Sequence, residues 1–298
     1  MPASAEHPTS PSETILSTAG ANALELDVRP AEVVVFGSQL AFGSVGLNAG
    51  LPVYAESTVR CAAIPTVILS NLPHYPSVHG IDVPAQWITD TLHDLAATGA
   101  LRSVRAIAVG YLAAPDQAHA IADWYRELDA ETRPQLILDP TFGDADVGFY
   151  TDPAVAPAVR DALVPLAMIV TPNTFELEHL SAHPDAEAAR QAGADVADVI
   201  DRAQTLRTAA APGARVVITG LATAPATIGN LIVSGSDSEV VTGPELSTVA
   251  KGLGDTFAAR LVSRTLAGDS LRDAVDAAAG RVRAAIAKAN ASDGPAQS

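Results

Sequence analysis

The sequence predicts an α/β fold in which a mostly parallel central sheet carries helices on both faces and antiparallel strands come late in the chain. Two observations support this prediction. Short aliphatic runs such as AEVVVFGS and QLILDP alternate with longer segments whose apolar residues recur at helical spacing. Such alternation is typical of strand–helix units around a parallel sheet that is buried on both faces. Near the end, NLIVSG and SEVVTG follow each other closely, which indicates an antiparallel pair before two closing helices.

The order of the predicted elements follows from these runs. The strands before the late pair are AEVVVFGS, AIPTVIL, SVRAIAVGYL, QLILDP, LAMIVTPN and ARVVITG. A helix opens in FGSVGLNAG, and further helices are PAQWITDTLHDLAATGAL, APDQAHAIADWYRELDA, PAVAPAVRDALV, TFELEHL and one within PDAEAARQAGADVADVIDRAQTLRTAAAP. SNLPHYPSVHG and GDADVGFYTD are polar and rich in turn residues, so both are predicted to be loops.

Residues 31–298 are predicted to form one domain, because no internal repeat or linker interrupts the pattern. Residues 1–30 are rich in Ser, Thr, Pro and Ala, which favours a flexible extension, with a folded start as the alternative. They carry no positive region and no long apolar core, which argues against a secretory signal. No apolar run reaches the roughly 18 residues of a membrane span. A single cysteine excludes intramolecular disulfides and suits a reducing compartment, so we expect a cytoplasmic protein without membrane contact.

The chain is strongly acidic. Lys and Arg number 18 against 34 for Asp and Glu, which gives a formal net charge of −16. Such a surface repels phosphate backbones, so nucleic-acid binding is not expected and a small molecule is the expected partner. An anionic ligand would then need local help from backbone N–H groups or from a metal ion.

Polar residues follow the predicted strands at their carboxyl ends. In parallel α/β sheets, ligands bind in the crevice beyond those ends. The arrangement therefore predicts a binding cleft there, and the residues that end or follow a strand in this way are Ser38, Tyr111, Asp139, Asn173 and Thr219.

The turn KGLGD opens a predicted helix and places an acid beside two glycines, Gly252 and Gly254. A helix N-terminus has unpaired N–H groups and a partial positive charge, and glycines let an anion approach its backbone. Asp255 in that position has two interpretations. It caps the helix, or it is a base that takes a proton from a hydroxyl attacking a phosphate held at the turn.

Two other acids bear on that choice. Asp139 follows the strand QLIL, and Glu176 lies three residues after Asn173 in TPNTFELE. Taken singly, Asp139 is typical of a turn before Pro140 and Glu176 of a first helical turn. Together they could hold Mg²⁺, directly or through water, at phosphates bound by the glycine turn.

Five segments together resemble the ribokinase-like superfamily and, within it, the pyridoxal (vitamin B6) kinases. The resemblance covers about residues 33–290. The superfamily's Gly-x-Gly-Asp signature matches KGLGDTFAARL, and the TPNxxE segment of the family matches TPNTFELEHL. The others are LDPTFGD, VGYLAAPDQAHAI and the lid-like GFYTDPAVA.

This resemblance implies transfer of phosphate from ATP to the hydroxymethyl group of pyridoxal, pyridoxine or pyridoxamine. Asp255 would be the base, and the backbone of Gly252, Leu253 and Gly254 would stabilise the phosphoryl group in transfer. Mg²⁺ would bind at Asp139 and Glu176, with K⁺ or another monovalent cation as an optional addition, and the protein would be a homodimer. The implied ATP-binding residues are Asp139, Thr171, Asn173, Glu176, Thr219, Val240, Val241, Thr242 and Gly243. The implied substrate-binding residues are Ser38, Tyr111, Tyr150 and Asp255, with Tyr111 stacking on the ring and Tyr150 closing as a lid. Pro73 and His74 are added as substrate-binding candidates from the loop where the chain departs from the family.

The acceptor side departs from the family pattern. Where pyridoxal kinases read FSNHT, this chain reads LSNLP, so Leu72 and Pro73 replace a histidine and a threonine that contacts the substrate. Proline has no backbone N–H to offer instead. This leaves two alternatives open: a kinase of the same fold acting on hydroxymethylpyrimidine or another small alcohol, and a B6-binding protein without catalysis. His179 and His183 have helical spacing, but we expect them to be exposed rather than metal ligands.

Overall fold

A nine-stranded sheet runs through the computed structural model, which describes residues 29–181 and 196–292. Among the described strands, β6 and β7 form a separate hairpin and the others belong to the sheet. In chain order the strands are β1 (Val33–Leu40), β2 (Cys61–Leu69), β3 (Gly80–Asp82), β4 (Ala106–Val109), β5 (Gln135–Leu138), β6 (Gly143–Asp144), β7 (Gly148–Phe149), β8 (Ile169–Val170), β9 (Arg215–Ala224), β10 (Thr227–Ser234) and β11 (Asp237–Pro244).

The sheet is mixed in the way that the sequence predicts. Its strand order is β11-β10-β9-β8-β5-β4-β1-β2-β3. The central pairs from β2 to β9 are parallel, whereas β3 pairs antiparallel with β2, and β10 pairs antiparallel with both β9 and β11. The prediction of a mostly parallel sheet with late antiparallel strands is thus confirmed.

Helices cover both faces. They are α1 (Leu47–Glu56), α2 (Ala85–Ala97), α3 (Pro115–Glu127), α4 (Val155–Ala158), α5 (Thr174–Leu180), α6 (Val196–Ala209), α7 (Leu253–Leu266) and α8 (Leu271–Ser292). Successive residues of β1 belong to two different core clusters, Val34 to one with α2 to α6 and Val35 to one with α1, α7 and α8. Because adjacent side chains of a strand point to opposite faces, the continuous apolar run of β1 is what a sheet buried on both sides requires.

Both predicted loops contain short strands. In SNLPHYPSVHG the loop ends one residue early, because Gly80 already begins β3, which pairs with the end of β2. GDADVGFYTD contains the β6–β7 hairpin. Strands of two or three residues have too little alternation to be distinguished from a turn by pattern.

Other predictions about the chain have mixed outcomes. The predicted helix PAVAPAVRDALV begins as α4 but continues as a π-turn over Val159–Leu163 and a 3₁₀ turn over Val164–Leu166. The extension proposed for residues 1–30 falls almost wholly outside the described residues, as does the segment 182–195, and the single-domain assignment stays a prediction. Within the described ranges, no helix is long and apolar enough to cross a membrane.

Candidate active site

A cavity of about 40 Å³ lies at the carboxyl ends of β1, β4 and β5, between the sheet and the helices α1 and α7. Both Asp139, at the end of β5, and Asp255, in the first turn of α7, contribute to its wall. The topology brings them together, since β5 and β4 are neighbours and α7 packs on the same face. The other lining residues are Val35, Phe36, Gly37, Gly46, Leu47, Gly50, Tyr54, Ala108, Val109, Gly110, Ile137, Ala258, Ala259 and Val262.

The turn before α7 depends on Gly252. Its φ is +74°, in the left-handed region, and a Cβ there would lie 1.9 Å from the carbonyl oxygen of Ser44. Only glycine therefore lets this turn approach the β1–α1 loop so closely. By contrast, a Cβ on Gly254 would meet nothing within 4 Å, so the backbone there faces open space.

Asp255 is half-buried and is held by backbone amides. Its carboxylate accepts hydrogen bonds from the N–H of Gly46 and from its own N–H. Burial raises the pKa of Asp255 above its usual value, and these two hydrogen bonds oppose that rise. The carboxylate thus supports the helix start, as the capping interpretation has it, and it also faces the cavity, as a base requires.

The pKa of Asp139 is also raised. Burial, and then the charge of Asp255, raise its pKa from 3.8 to about 7, although two threonine hydroxyls stabilise the ionised form. Thr171 Oγ1 donates to Asp139 Oδ1 at 2.8 Å, and Thr141 Oγ1 lies 3.3 Å from Oδ2. Two acids in one cavity repel each other, which makes their ionised forms costly, and a bound divalent cation would offset this repulsion.

Glu176 and Asn173 form a capping box at the start of α5. Asn173 Oδ1 accepts from the N–H of Glu176, and Glu176 Oε2 accepts from the N–H of Asn173, both at 2.9 Å. Glu176 Oε1 also accepts from the N–H of Phe142 at 3.3 Å, and Asn173 Nδ2 donates to the carbonyl of Gly143 at 2.8 Å. Glu176 is therefore a first-turn helix acid that also ties the β6–β7 hairpin to α5.

The electrostatic environment of Glu176 links it to the cavity. Glu176 is 4% exposed, and burial followed by the charge of Asp139 raises its pKa well above the usual value. The charge of Asp139 therefore acts on Glu176, although Glu176 does not line the cavity itself. Within residues 29–181 and 196–292, however, no group of three His, Cys, Asp or Glu side chains could hold a metal alone. Mg²⁺ is commonly bound by one or two carboxylates together with substrate phosphates, and this donor set fits that mode.

The nucleotide-side residues of β9 and β11 lie at the same level of the sheet. Leu231 of β10 pairs with both Ile218 and Val240, so Thr219 and Val241 are level across three strands. The N–H of Thr219 donates to the carbonyl of Pro172 at 3.0 Å, which places it beside Thr171 and Asn173. The side chain of Val241 is buried in the core.

The end of β11 is covered by α8. Thr242 is exposed, and a Cβ at Gly243 would lie 2.7 Å from the guanidinium of Arg283. β11 runs in the same direction as β9, which is parallel to β5 through β8. Gly243, near the end of β11, therefore lies toward the same end of the sheet as Asp139, which follows β5. Among the β11 residues, the side chain of Val241 belongs to the core and Val240 packs against the other core cluster, so the predicted nucleotide residues do not all face one surface.

The acceptor-side residues are more scattered. Ser38 is buried below Gly46, where a Cβ would lie 2.1 Å from its hydroxyl oxygen. Tyr111 is half-buried, and burial followed by the charge of Asp82 raises the pKa of its hydroxyl. Pro73 and His74 are exposed in the loop before β3 and do not line the cavity.

Tyr150 directly follows β7. Its hydroxyl donates to Asp144 of the same hairpin, and burial, that hydrogen bond and the nearby charges of Asp144 and Glu176 raise its pKa. The side chain is 45% exposed. The predicted lid residue is thus anchored in its own hairpin and lies near Glu176.

Three contributors to the site were missed in the sequence. Thr141 donates to Asp139, Tyr54 lines the cavity with 2% exposure, and the amide of Gly46 binds Asp255. The glycine spacing of FGSVG could have indicated Gly46, whose φ is +56°. Tyr54 has no local signal, because only packing brings it to the cavity, whereas Thr141 lies two residues after Asp139 in the segment LDPTFGD.

Comparison with known proteins identifies the family of this chain. A family model described as phosphomethylpyrimidine kinase matches residues 41–296. The pyridoxine/pyridoxal/pyridoxamine kinase of Bordetella bronchiseptica is 39% identical over 276 residues, which cover 91% of this chain and 94% of that protein. The kinase of the same description from Bordetella avium is 38% identical over 252 residues, which cover 83% of this chain and 81% of that protein.

Solved structures agree in fold. Pyridoxal kinase from Leishmania donovani in complex with ADP and pyridoxamine matches with a TM-score of 0.77 at 27% identity, over 89% of this chain and 90% of that one. Pyridoxal kinase from Entamoeba histolytica has a TM-score of 0.78 at 20% identity, which supports the fold alone. The chain therefore belongs to the phosphomethylpyrimidine kinase family and, with its relatives, to the pyridoxal kinases of the ribokinase-like superfamily.

Proposed function

We propose that this protein is an ATP-dependent kinase that phosphorylates the hydroxymethyl group of pyridoxal, pyridoxine and pyridoxamine, and so salvages these vitamers toward pyridoxal 5′-phosphate. The observation that carries the proposal is the cavity shared by Asp139 and Asp255, with Asp255 held at the glycine turn of α7. The Bordetella relatives are named for all three vitamers, and the Leishmania structure holds ADP with one of them.

The chemistry follows from the position of Asp255. Its carboxylate takes the proton of the acceptor hydroxyl while that oxygen attacks the γ-phosphorus of ATP. The bond to the bridging oxygen breaks, and ADP leaves with that oxygen. Burial raises the pKa of Asp255 toward neutral pH. A general base is most effective when its pKa lies near the pH at which the enzyme works. The backbone N–H groups of Gly252, Leu253 and Gly254, at the start of α7, stabilise the charge on the transferring group.

Asp139 is the residue that would hold Mg²⁺, with Glu176 contributing directly or through water. When bound, Mg²⁺ supplies positive charge to the phosphate oxygens. Thr171 and Thr141 fix the Asp139 carboxylate, and Asn173 fixes Glu176.

The remaining assignments are part of the same proposal. Thr219 and the β11 residues Val240 to Gly243 line the nucleotide, and K⁺ or another monovalent cation is an optional addition. Ser38 and His74 contact polar atoms of the ring, Pro73 contacts its edge, and Tyr111 stacks on its face. Tyr150 shields the reaction from water.

The protein is further proposed to be a cytoplasmic homodimer. Exposed apolar side chains near the β3 edge of the sheet support self-association. They are Phe42, Ile68, Tyr75, Val78, Ile81 and Trp87.

A second candidate acceptor is hydroxymethylpyrimidine. The description of the family model and the replacement of the substrate-contacting threonine by Pro73 favour it. The phosphate chemistry would be the same, so only the acceptor distinguishes the two.

One assay tests these alternatives. Purified protein is incubated with ATP and Mg²⁺, and ADP and phosphorylated product are measured with each vitamer, with hydroxymethylpyrimidine and without acceptor. We expect product with the B6 vitamers, at a kcat/KM above that with the pyrimidine. A pyrimidine preferred by more than about tenfold would reassign the acceptor, a difference of roughly 1.4 kcal/mol in transition-state binding. Vitamer binding without ADP formation would identify a non-catalytic binding protein.

A further inference from the structure

An aromatic cluster joins the β6–β7 hairpin to α5, and we call Phe142, Phe149, Phe175 and His179 the aromatic clasp. The ring centroid of Phe149 lies 4.8 Å from that of His179, 5.2 Å from that of Phe175 and 5.9 Å from that of Phe142. The contacts with His179 and Phe175 are edge-to-face, the geometry that ring quadrupoles favour. One ring of the hairpin is thus enclosed by three others.

The hairpin cannot hold this position alone. Each of its strands has two residues, paired as Gly143 with Phe149 and Asp144 with Gly148. A two-stranded hairpin is marginal in water even when it is much longer. Its backbone instead rests on α5, since a Cβ at Gly143 would lie 2.4 Å from a ring carbon of Phe175.

His179 is a fixed part of the clasp, which corrects the expectation that it is exposed. It is half-buried, and its Nδ1 lies 2.8 Å from the carbonyl oxygen of Phe175. Because a carbonyl oxygen can only accept, Nδ1 carries a proton and the ring orientation is set. The predicted partner His183 lies outside the described residues.

The clasp is connected to the proposed site by the chain itself. Tyr150 follows Phe149 directly, and its N–H donates to the carbonyl of Phe142 at 2.8 Å. The N–H of Phe142 in turn donates to Glu176, whose charge raises the pKa of Tyr150 and whose own pKa is raised by burial and by the charge of Asp139. A shift of Phe149 would therefore move Tyr150 and loosen the contact with Glu176.

We propose that Phe149 and His179 are positioning residues that hold Tyr150 where it keeps water from the phosphoryl group in transfer. This inference rests on the proposed kinase function. Without the clasp, a water oxygen attacks the γ-phosphorus in place of the acceptor hydroxyl. The bond to the bridging oxygen breaks, and ADP, inorganic phosphate and a proton are released.

The experiment compares Phe149→Ala and His179→Ala with the wild type. Three quantities are measured: ADP formed per phosphorylated vitamer, the KM for the vitamer, and ADP formation without acceptor. We expect the ADP-to-product ratio to be close to one in the wild type and to rise at least about twofold in both variants. The vitamer KM should rise by roughly five- to tenfold, the population shift expected when aromatic contacts of this kind are lost.

Two controls separate positioning from simple destabilisation. Val147→Ala changes an exposed residue at the turn of the same hairpin and should leave the ratio unchanged. His179→Phe keeps a ring in the clasp and should restore most of the coupling. A loss of folded protein lowers kcat in proportion but leaves the ratio and the KM as they were, so such a result in Phe149→Ala would overturn the positioning role. A wild type that phosphorylates no acceptor would overturn the proposed function and this inference together, whereas an active wild type with unchanged variants would overturn the inference only.

Discussion

The turn at Gly252–Asp255 and the loop at residues 70–79 are both predicted to contact substrates, yet they are packed very differently. The turn lies against the backbone of Ser44, and its acid is held by the amide of Gly46. In the loop, Pro73 and His74 are exposed, and Tyr75 makes one edge contact with Phe42, itself 67% exposed. Phosphoryl transfer depends on the position of the base, because a misplacement of about 1 Å can cost about 10²-fold in rate. The departures from the family pattern at Leu72 and Pro73 lie in the loop.

The largest expected effect comes from Asp255→Asn, which tests whether the turn carries the chemistry. The amide can still accept from Gly46, but it cannot take a proton, so kcat should fall by about 10²–10⁴-fold. The KM for ATP should change little, since the backbone cradle remains. Steady-state kinetics measure both values, with the exposed Asp90→Asn as a control for loss of one acidic charge. A kcat within about threefold of wild type would show that Asp255 is only a cap.

Two glycine substitutions in the same turn test how tightly its backbone is packed. Gly252→Ala places a methyl group against the carbonyl of Ser44 in a left-handed conformation, and should lower the free energy of unfolding by on the order of 2–4 kcal/mol. Gly254→Ala meets no neighbouring atom, and should change it by less than about 0.5 kcal/mol. Urea denaturation measures both variants. Equal stabilities would mean that the turn is not held as tightly as its contacts indicate.

Asp139→Asn should make the metal-free protein more stable at alkaline pH. The pKa of Asp139 is about 7 in the folded chain against an ordinary 3.8, so the folded state binds this proton more tightly than the unfolded state. The resulting contribution to stability is complete below about pH 4 and is lost as the pH rises through about 7. In metal-free and nucleotide-free protein, the variant should therefore be more stable than wild type at pH 8, by on the order of 2–4 kcal/mol, and nearly equal to it near pH 4.

Unfolding curves from pH 4 to pH 8 check this sign. Saturating Mg²⁺ and ATP should reduce the difference, because a cation beside Asp139 compensates its charge. A variant that is less stable than wild type at pH 8 would contradict the electrostatic argument. The Asp90→Asn protein again serves as the control.

The smallest effect is expected in the acceptor loop. Pro73→Thr adds a hydroxyl and a backbone N–H at an exposed position, and should lower the KM for pyridoxal by roughly two- to fivefold. The free energy of unfolding should stay within about 0.5 kcal/mol of wild type. Pro76→Thr, in the same exposed loop, is the matched control. Equal responses of the two variants would show that position 73 does not contact the acceptor.

The features that could be predicted from the sequence are those with long sequence patterns. Long apolar runs such as the one in β1 predicted the strands, and the order of the segments LDPTFGD, TPNTFELEHL and KGLGDTFAARL predicted the family. The short strand β3 and the change from α4 to a π-turn carried no such pattern. Among the site residues, Asp139 and Asp255 line one cavity and their predicted roles stay predictions, whereas Tyr54 and Thr141 were found only in the folded chain.

By itself, the sequence determined the alternation of strands and helices, the excess of acid over base, and the glycine turn with its aspartate, because each of these is set by residues that are near one another in the chain. The tertiary structure decided which acids meet in one cavity, that Glu176 is tied to the hairpin through backbone amides, and that His179 belongs to an aromatic cluster. The physical reason is that burial, shared charge and ring packing depend on side chains from distant segments. Their positions exist only after the sheet and its helices have come together.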